Sequence, residues 1–254
     1  PLESPPAGGA AALRPPPERL VARNFLSLAS GEVAARVLAF GATIYAARVL
    51  GPEAYGVLGF AAAVVLYLSR IADGGMEYFG LGIREIASDR RRVDTHAPDL
   101  VTARFLIAAV LVAILAAAMP FLPRPEGAAL TLYGLTLLMV GAGTRWVHLG
   151  LERTRLVAIA RTAGEALMAL LVLATVRSPG DLLRVPLAQF LGDALAALLL
   201  LAALHRLGHP LALRLRTARV LPLFRESAPL VASALLGLMI FNSDLIMLRL
   251  FRDA

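Results

Sequence analysis

The residues of this chain that could do chemistry are charges lying where charge is costly. Glu32 and Arg36 stand four apart in one long apolar run, and Arg70, Asp73 and Glu77 follow at steps of three and four in a second, so each set shares a helical face. Glu165, Asp193 and the pair Asn242 and Asp244 fall in three further apolar runs. An ionisable group at the centre of a membrane helix costs about 2.5–3.5 kcal/mol on insertion scales, so it must face a partner or a watery space. Arg36 and Arg70, with Glu32 and Asp73 beside them, suit the binding of an anionic substrate. Asp193 and Asp244, with Asn242 alongside, suit a coupling cation or proton. The alternative is a set of packed ion pairs and interfacial anchors with snorkelling tips. Terminal position favours that alternative for Arg48, Glu77, Arg161 and Arg249, whereas depth favours a cavity for Arg36, Arg70, Asp193 and Asp244.

Other chemistry is hard to place. His205 and His209 have i, i+4 spacing, but no acidic or cysteine neighbour stands beside them in sequence, and His96 and His148 are isolated. The chain has no cysteine, which removes disulfides and thiolate chemistry. No phosphate-binding glycine loop, nucleophile elbow or zinc signature occurs, so the expectation is a protein that is not an enzyme and holds neither cofactor nor metal.

The elements that must position these charges follow from composition. Hydrophobic residues make up 58% and charged residues 17% of the 254 positions, against about 45–50% and about 25% in a soluble domain. With a mean hydropathy of +0.72, the chain is all-α, a polytopic bundle of about seven spans, each needing roughly 20 apolar residues. The expected spans are Asn24–Val49, Ala54–Phe79, Leu100–Leu122, Gly127–Trp146, Val157–Val176, Leu183–Leu204 and Pro229–Phe251. Gly51-Pro52 makes the first two a hairpin. Every basic residue is arginine; 17 of the 25 fall on one side of this arrangement and 6 on the other. That bias puts the N terminus in the cytoplasm of a cell-membrane protein. It also accounts for the net charge of +7 without nucleic acid, since no basic stripe interleaves with aromatics. Residues 1–19 are rich in Pro, Gly and Ala and read as a disordered tail without a cleavable signal. The first residue is Pro1 and the last, Ala254, closely follows an apolar run, so the chain reads as a fragment.

Four segments in order carry a resemblance: AARVLGPEAYGVLGF at Ala46–Phe60, GLGIREIASDRRR at Gly80–Arg92, HLGLERTRLVAIAR at His148–Arg161, and ESAPLVASALLGLMIFNSDLIMLRLF at Glu226–Phe251. Over Asn24–Ala254 the chain resembles the oligosaccharide flippase, or polysaccharide biosynthesis, family of the superfamily that also contains multidrug and toxic compound extrusion transporters. The resemblance implies two pseudo-symmetric halves around a central cavity. Residues 20–225 would then be a six-helix N-terminal half and 226–254 the first helix of the next. YAARVLG at the end of span one echoes IMLRLFR at the end of span seven, aligning Arg48 with Arg249. The family's pattern continues into a second half that this chain lacks, without which it is not expected to transport alone.

What the resemblance implies about function is translocation of a polyprenyl-diphosphate-linked oligosaccharide to the outer leaflet for cell-surface polysaccharide synthesis. The partners would be that lipid-linked oligosaccharide, the surrounding membrane lipids, H+ or Na+ as coupling ion, and polysaccharide assembly proteins. Arg36 and Arg70 would meet the diphosphate, and Asp193 or Asp244 the ion. A multidrug exporter of the same superfamily and a membrane ligase or polymerase of polyprenyl sugars are the competing readings.

Overall fold

The structure is a computed structural model that describes residues 17–241, with side chains described for 26–240; Asn242 and Asp244 lie outside the described residues. The described residues form helices joined by turns and short loops. Six helices are long and apolar enough to cross a membrane: Leu26–Asp73, Ala97–Phe121, Arg124–Gly150, Thr154–Thr175, Arg184–Arg206 and Thr217–Ile240. The 22 residues of Thr154–Thr175 rise about 33 Å, enough for hydrocarbon about 30 Å thick.

The first of these belongs to α1 (Pro17–Asp73), which is too long for one crossing. Gly51 interrupts it with φ 76° and ψ 173°, a left-handed conformation that a residue without Cβ adopts at little cost. Pro52 follows, with no N–H to continue the ladder. Two arms result, 17–50 and 52–73. α8 (Thr154–Thr175) begins beside the first arm, where Thr162 Oγ1 donates to the Gly31 carbonyl at 3.2 Å, and ends beside it, where Tyr45 donates to the Val176 carbonyl at 3.0 Å. The second arm then returns, since Asp73 and the neighbouring Glu77 reach Arg104 and Arg145 near the starting end. With the first helix divided in two, the described residues hold seven segments placed to cross, in keeping with the Gly-Pro break.

The remaining elements alternate between the two ends. α2 (Leu81–Ser88) and α3 (Arg92–Thr95) are short helices at the Arg-rich end, and α4 (Ala97–Ala118) leaves it. α5 (Arg124–Gly134), α6 (Thr136–Ala142) and α7 (Arg145–Gly150) form one broken return crossing. After α8, α9 (Arg184–Arg206) comes back and α10 (Thr217–Phe241) leaves again. α8 and α9 touch backbone to backbone: a Cβ on Gly164 would meet the Gly192 carbonyl oxygen at 2.6 Å. Small residues at such crossings are what lets membrane helices associate without a hydrophobic driving force. The buried core runs through Ala42, Ala46, Leu58, Ala61, Leu115, Leu137 and Val172.

Two expected spans move. The second ends at Asp73, not Phe79, because Gly74 and Gly75 take positive φ and turn the chain away. The seventh begins at Thr217, twelve residues before Pro229, and runs through both Pro222 and Pro229. Its first turns are charged and held at the Arg-rich end by Arg219–Asp99 (3.5 Å) and Glu226–Arg84 (2.9 Å), which an apolar-run criterion does not see. The expected division at 225/226 falls within this helix.

Candidate functional site

A cavity of about 820 Å³ opens between the second arm of α1, α4, α5–α6, α8 and α9. Its charged lining is Arg70, Asp73, Glu77, Arg104, Arg145, Arg161 and Asp193, contributed by five crossings and the loop after α1. Most of these charges neutralise one another. Arg104, 1% exposed, donates to Asp73 at 3.0 Å and to the carbonyls of Val140 (2.8 Å) and Gly143 (3.1 Å), tying α1, α4 and α6 together. Asp73 also accepts from the backbone N–H groups of Glu77 (3.1 Å) and Tyr78 (3.0 Å), so it fixes the turn that ends the second arm. Arg145 pairs with Glu77. Arg161 lies 2.7 Å from the buried Glu165 and 3.8 Å from Asp193, which also accepts from Gln189 at 3.2 Å.

Arg70 is the exception. Its guanidinium carbon sits 4.0 Å from the centre of the Tyr78 ring, and it makes no ion pair or side-chain hydrogen bond among the described residues. Tyr78 in turn packs edge-on against Phe79, with ring centres 4.9 Å apart. A cation over an aromatic face keeps its charge while gaining modest stabilisation. The cavity therefore carries one guanidinium held in place but not neutralised, which is what capture of an anionic group requires.

The sequence-predicted residues divide. Arg70, Asp73 and Asp193 come together in the cavity lining, Asp73 with a structural contact to Arg104. Arg36 and Glu32 do not reach this cavity: they pair with each other at 3.1 Å, and the Arg36 side chain is 78% exposed. The reason is helix rotation, because the first arm turns Ala35, Ala42 and Ala46 inward and leaves Arg36 on its flank. Asn242 and Asp244 lie outside the described residues.

Glu77 and Arg161, expected to be packed ion pairs or interfacial anchors, are ion-paired, Glu77 with Arg145 and Arg161 with Glu165, and they also line the cavity. Arg104, Arg145 and Tyr78 were missed altogether. Arg104 carries a signal in the sequence, since it lies inside the expected span Leu100–Leu122. Arg145 carries the same signal near the end of the expected span Gly127–Trp146, whereas Tyr78 carries none, because the turn after Asp73 places it. His209 likewise has a partner that spacing hides, with Nδ1 2.8 Å from Asp94 Oδ1.

Fold and site together define a multi-pass α-helical membrane protein with a polar, partly cationic cavity between its helices. The chain belongs to the polysaccharide biosynthesis protein family, whose sequence profile matches residues 21–254. Comparison with curated proteins and with solved structures finds no match.

Proposed function

We propose that this protein translocates a polyprenyl-diphosphate-linked oligosaccharide from the cytoplasmic to the outer leaflet, for cell-surface polysaccharide synthesis. A sugar headgroup and its charged diphosphate cannot shed water into hydrocarbon, so a polar cavity must carry them while the lipid tail stays outside. The observation that carries this reading is Arg70, the cavity guanidinium without a carboxylate partner among the described residues. The cavity's volume of about 820 Å³ also falls within the usual roughly 300–1,000 Å³ of ligand sites. Movement is alternating access against a second half of the transporter, driven by an H+ or Na+ gradient worth about 2.3 kcal/mol per charge per 100 mV. Asp193 is the candidate ion-coupling residue, since only the 3.8 Å contact with Arg161 and the Gln189 amide hold it. The Arg-rich end, with α2 and α3, then faces the cytoplasm.

Export of a cationic drug fits less well, because Asp73 and Glu77 are closely paired with arginines while Arg70 adds an uncompensated positive charge to the cavity. A membrane ligase or polymerase would carry its catalytic groups on a long outer loop, whereas among the described residues the connections opposite the Arg-rich end are short: the Gly51-Pro52 break, 119–123 and 176–183. The test is the leaflet location of lipid-linked oligosaccharide in cells lacking the gene. Accumulation on the cytoplasmic leaflet, relieved by the wild-type gene, supports the reading. An unchanged distribution with raised drug sensitivity refutes it in favour of export.

A further inference from the structure

A second pocket, of about 500 Å³, lies at the Arg-rich end where α7 hands over to α8, lined by Ser27, Glu152, Arg153, Thr154, Arg155, Leu156 and Ile159. It is separate from the central cavity, with which it shares no residue. Arg153 and Arg155 make no side-chain hydrogen bond or ion pair among the described residues, nor do the hydroxyls of Ser27 and Thr154. Other arginines of this end divide: Arg84 pairs with Glu226, Arg92 with Glu85 and Arg219 with Asp99, whereas the exposed Arg90, Arg91 and Arg206 have no side-chain partner among the described residues. What marks Arg153 and Arg155 is that they line one pocket together.

Two further features mark the place. Glu152 has φ 60°, the one non-glycine residue with positive φ among the described residues, and such strain of about 1–3 kcal/mol persists where the surrounding structure imposes it. The α8 N-terminus carries no side-chain cap, and the positive end of its dipole lies at the residues that line the pocket.

Depth decides the ligand's class. The apolar span of α8 begins at Thr154, inside the pocket lining, which sets the arginines at headgroup level. Leu156 and the 55% exposed Ile159 continue from them along the helix into the hydrocarbon, offering a wall for acyl chains. Two guanidiniums against one carboxylate, Glu152, leave the lining net positive. We infer that this pocket binds the phosphate headgroup of an anionic phospholipid in the leaflet at the Arg-rich end, with Arg153 and Arg155 on the phosphate oxygens, Ser27 and Thr154 donating beside them, and the acyl chains along Ile159. The site is independent of the cargo reading and anchors the start of α8, the helix that carries Arg161 and Glu165 deeper in the membrane.

The experiment is lipid retention by the intact protein in detergent, measured by native mass spectrometry and thermal unfolding. Phosphatidylglycerol is compared with phosphatidylcholine and with inorganic phosphate. The expected result is retention of phosphatidylglycerol with a raised unfolding temperature, and about tenfold weaker retention in Arg153→Gln/Arg155→Gln, as for the loss of charge-assisted contacts. Arg206→Gln, at the same end but outside the pocket, should retain the lipid as wild type does. Equal effects of inorganic phosphate and phosphatidylglycerol would overturn a lipid in favour of a soluble anion. Equal retention by all variants would overturn the site. Because the double variant could fold poorly, a second measurement leaves the arginines in place: Ile159→Trp fluorescence quenched by brominated phosphatidylglycerol or brominated phosphatidylcholine. Preferential quenching by the former is expected, and equal quenching contradicts the assignment.

Discussion

Arg70 stands over Tyr78 with 4.0 Å between guanidinium carbon and ring centre, and Tyr78 is itself held by its backbone N–H on Asp73 at 3.0 Å. The cation of the cavity is thus positioned by an aromatic ring rather than by a counter-charge. A carboxylate in the same place would hold it equally well and cancel it.

Removal of that ring should loosen the cation without discharging it. A cation–π contact at a partly open site is worth about 0.5–1 kcal/mol. Tyr78→Ala is expected to weaken binding of a lipid-linked diphosphate about two- to fivefold, while Tyr78→Phe, which keeps the aromatic face, stays near wild type. Titration of the purified intact protein with the ligand measures both.

Asp73 should matter first for stability. Deleting one partner of a buried ion pair leaves the other unpaired, at a cost of about 3–5 kcal/mol, and Arg104 is 1% exposed. Asp73→Ala should therefore lower the thermal unfolding temperature in detergent sharply. Asp73→Ala/Arg104→Leu should recover much of the loss, because no charge remains buried. Equal losses in single and double variants would assign the stabilisation to the Asp73 turn instead.

The contact between α8 and α9 leaves no room for a side chain. A Cβ on Gly164 meets the Gly192 oxygen at 2.6 Å and Ala196 Cβ at 3.0 Å. Gly164→Val should cost about 1–3 kcal/mol by overpacking and shift Arg161, one turn away, relative to Asp193. Unfolding temperature and crosslinking between cysteines placed on the two helices report the two effects.

Outside the membrane, burial together with the Arg92 charge holds the His96 imidazole below its ordinary value of 6.5, against the opposing pull of Glu85 and Asp99. With the folded value lowered, the unfolded chain takes up its proton first as pH falls. Stability is then fully present above about pH 6.5 and declines as pH falls from there through the folded value. His96→Gln should flatten the unfolding temperature against pH in that window, measured by differential scanning fluorimetry.

How much of this was legible in the sequence depends on what each feature rests upon. The spans were, because backbone hydrogen bonding in lipid forces long apolar helices, and the Gly51-Pro52 break fixed the hairpin. Arg70 and Asp193 were, because their depth in apolar runs demands polar company. The orientation of Arg36 was not: helix phase relative to α8 depends on which small residues find a partner, and Ala35, Ala42 and Ala46 do so. Nor was Tyr78, which lies beyond the end of its helix and is placed by Asp73 across the turn. The start of α10 at Thr217 escaped for a related reason, since its first turns are anchored by charges from α2 and α4 rather than by apolar run length.

The central claim, that Arg70 receives the diphosphate, is tested most directly by outward translocation of a lipid-linked oligosaccharide in vesicles reconstituted with the intact protein. Loss of a charge-assisted contact worth about 1.5–3 kcal/mol predicts a rate at least about tenfold lower for Arg70→Gln. Arg36→Gln, whose arginine lies off the cavity, should remain within about twofold of wild type. Wild-type rates in Arg70→Gln, with translocation lost instead in Arg36→Gln, would contradict the account and move the substrate path to the outer flank of the first helix.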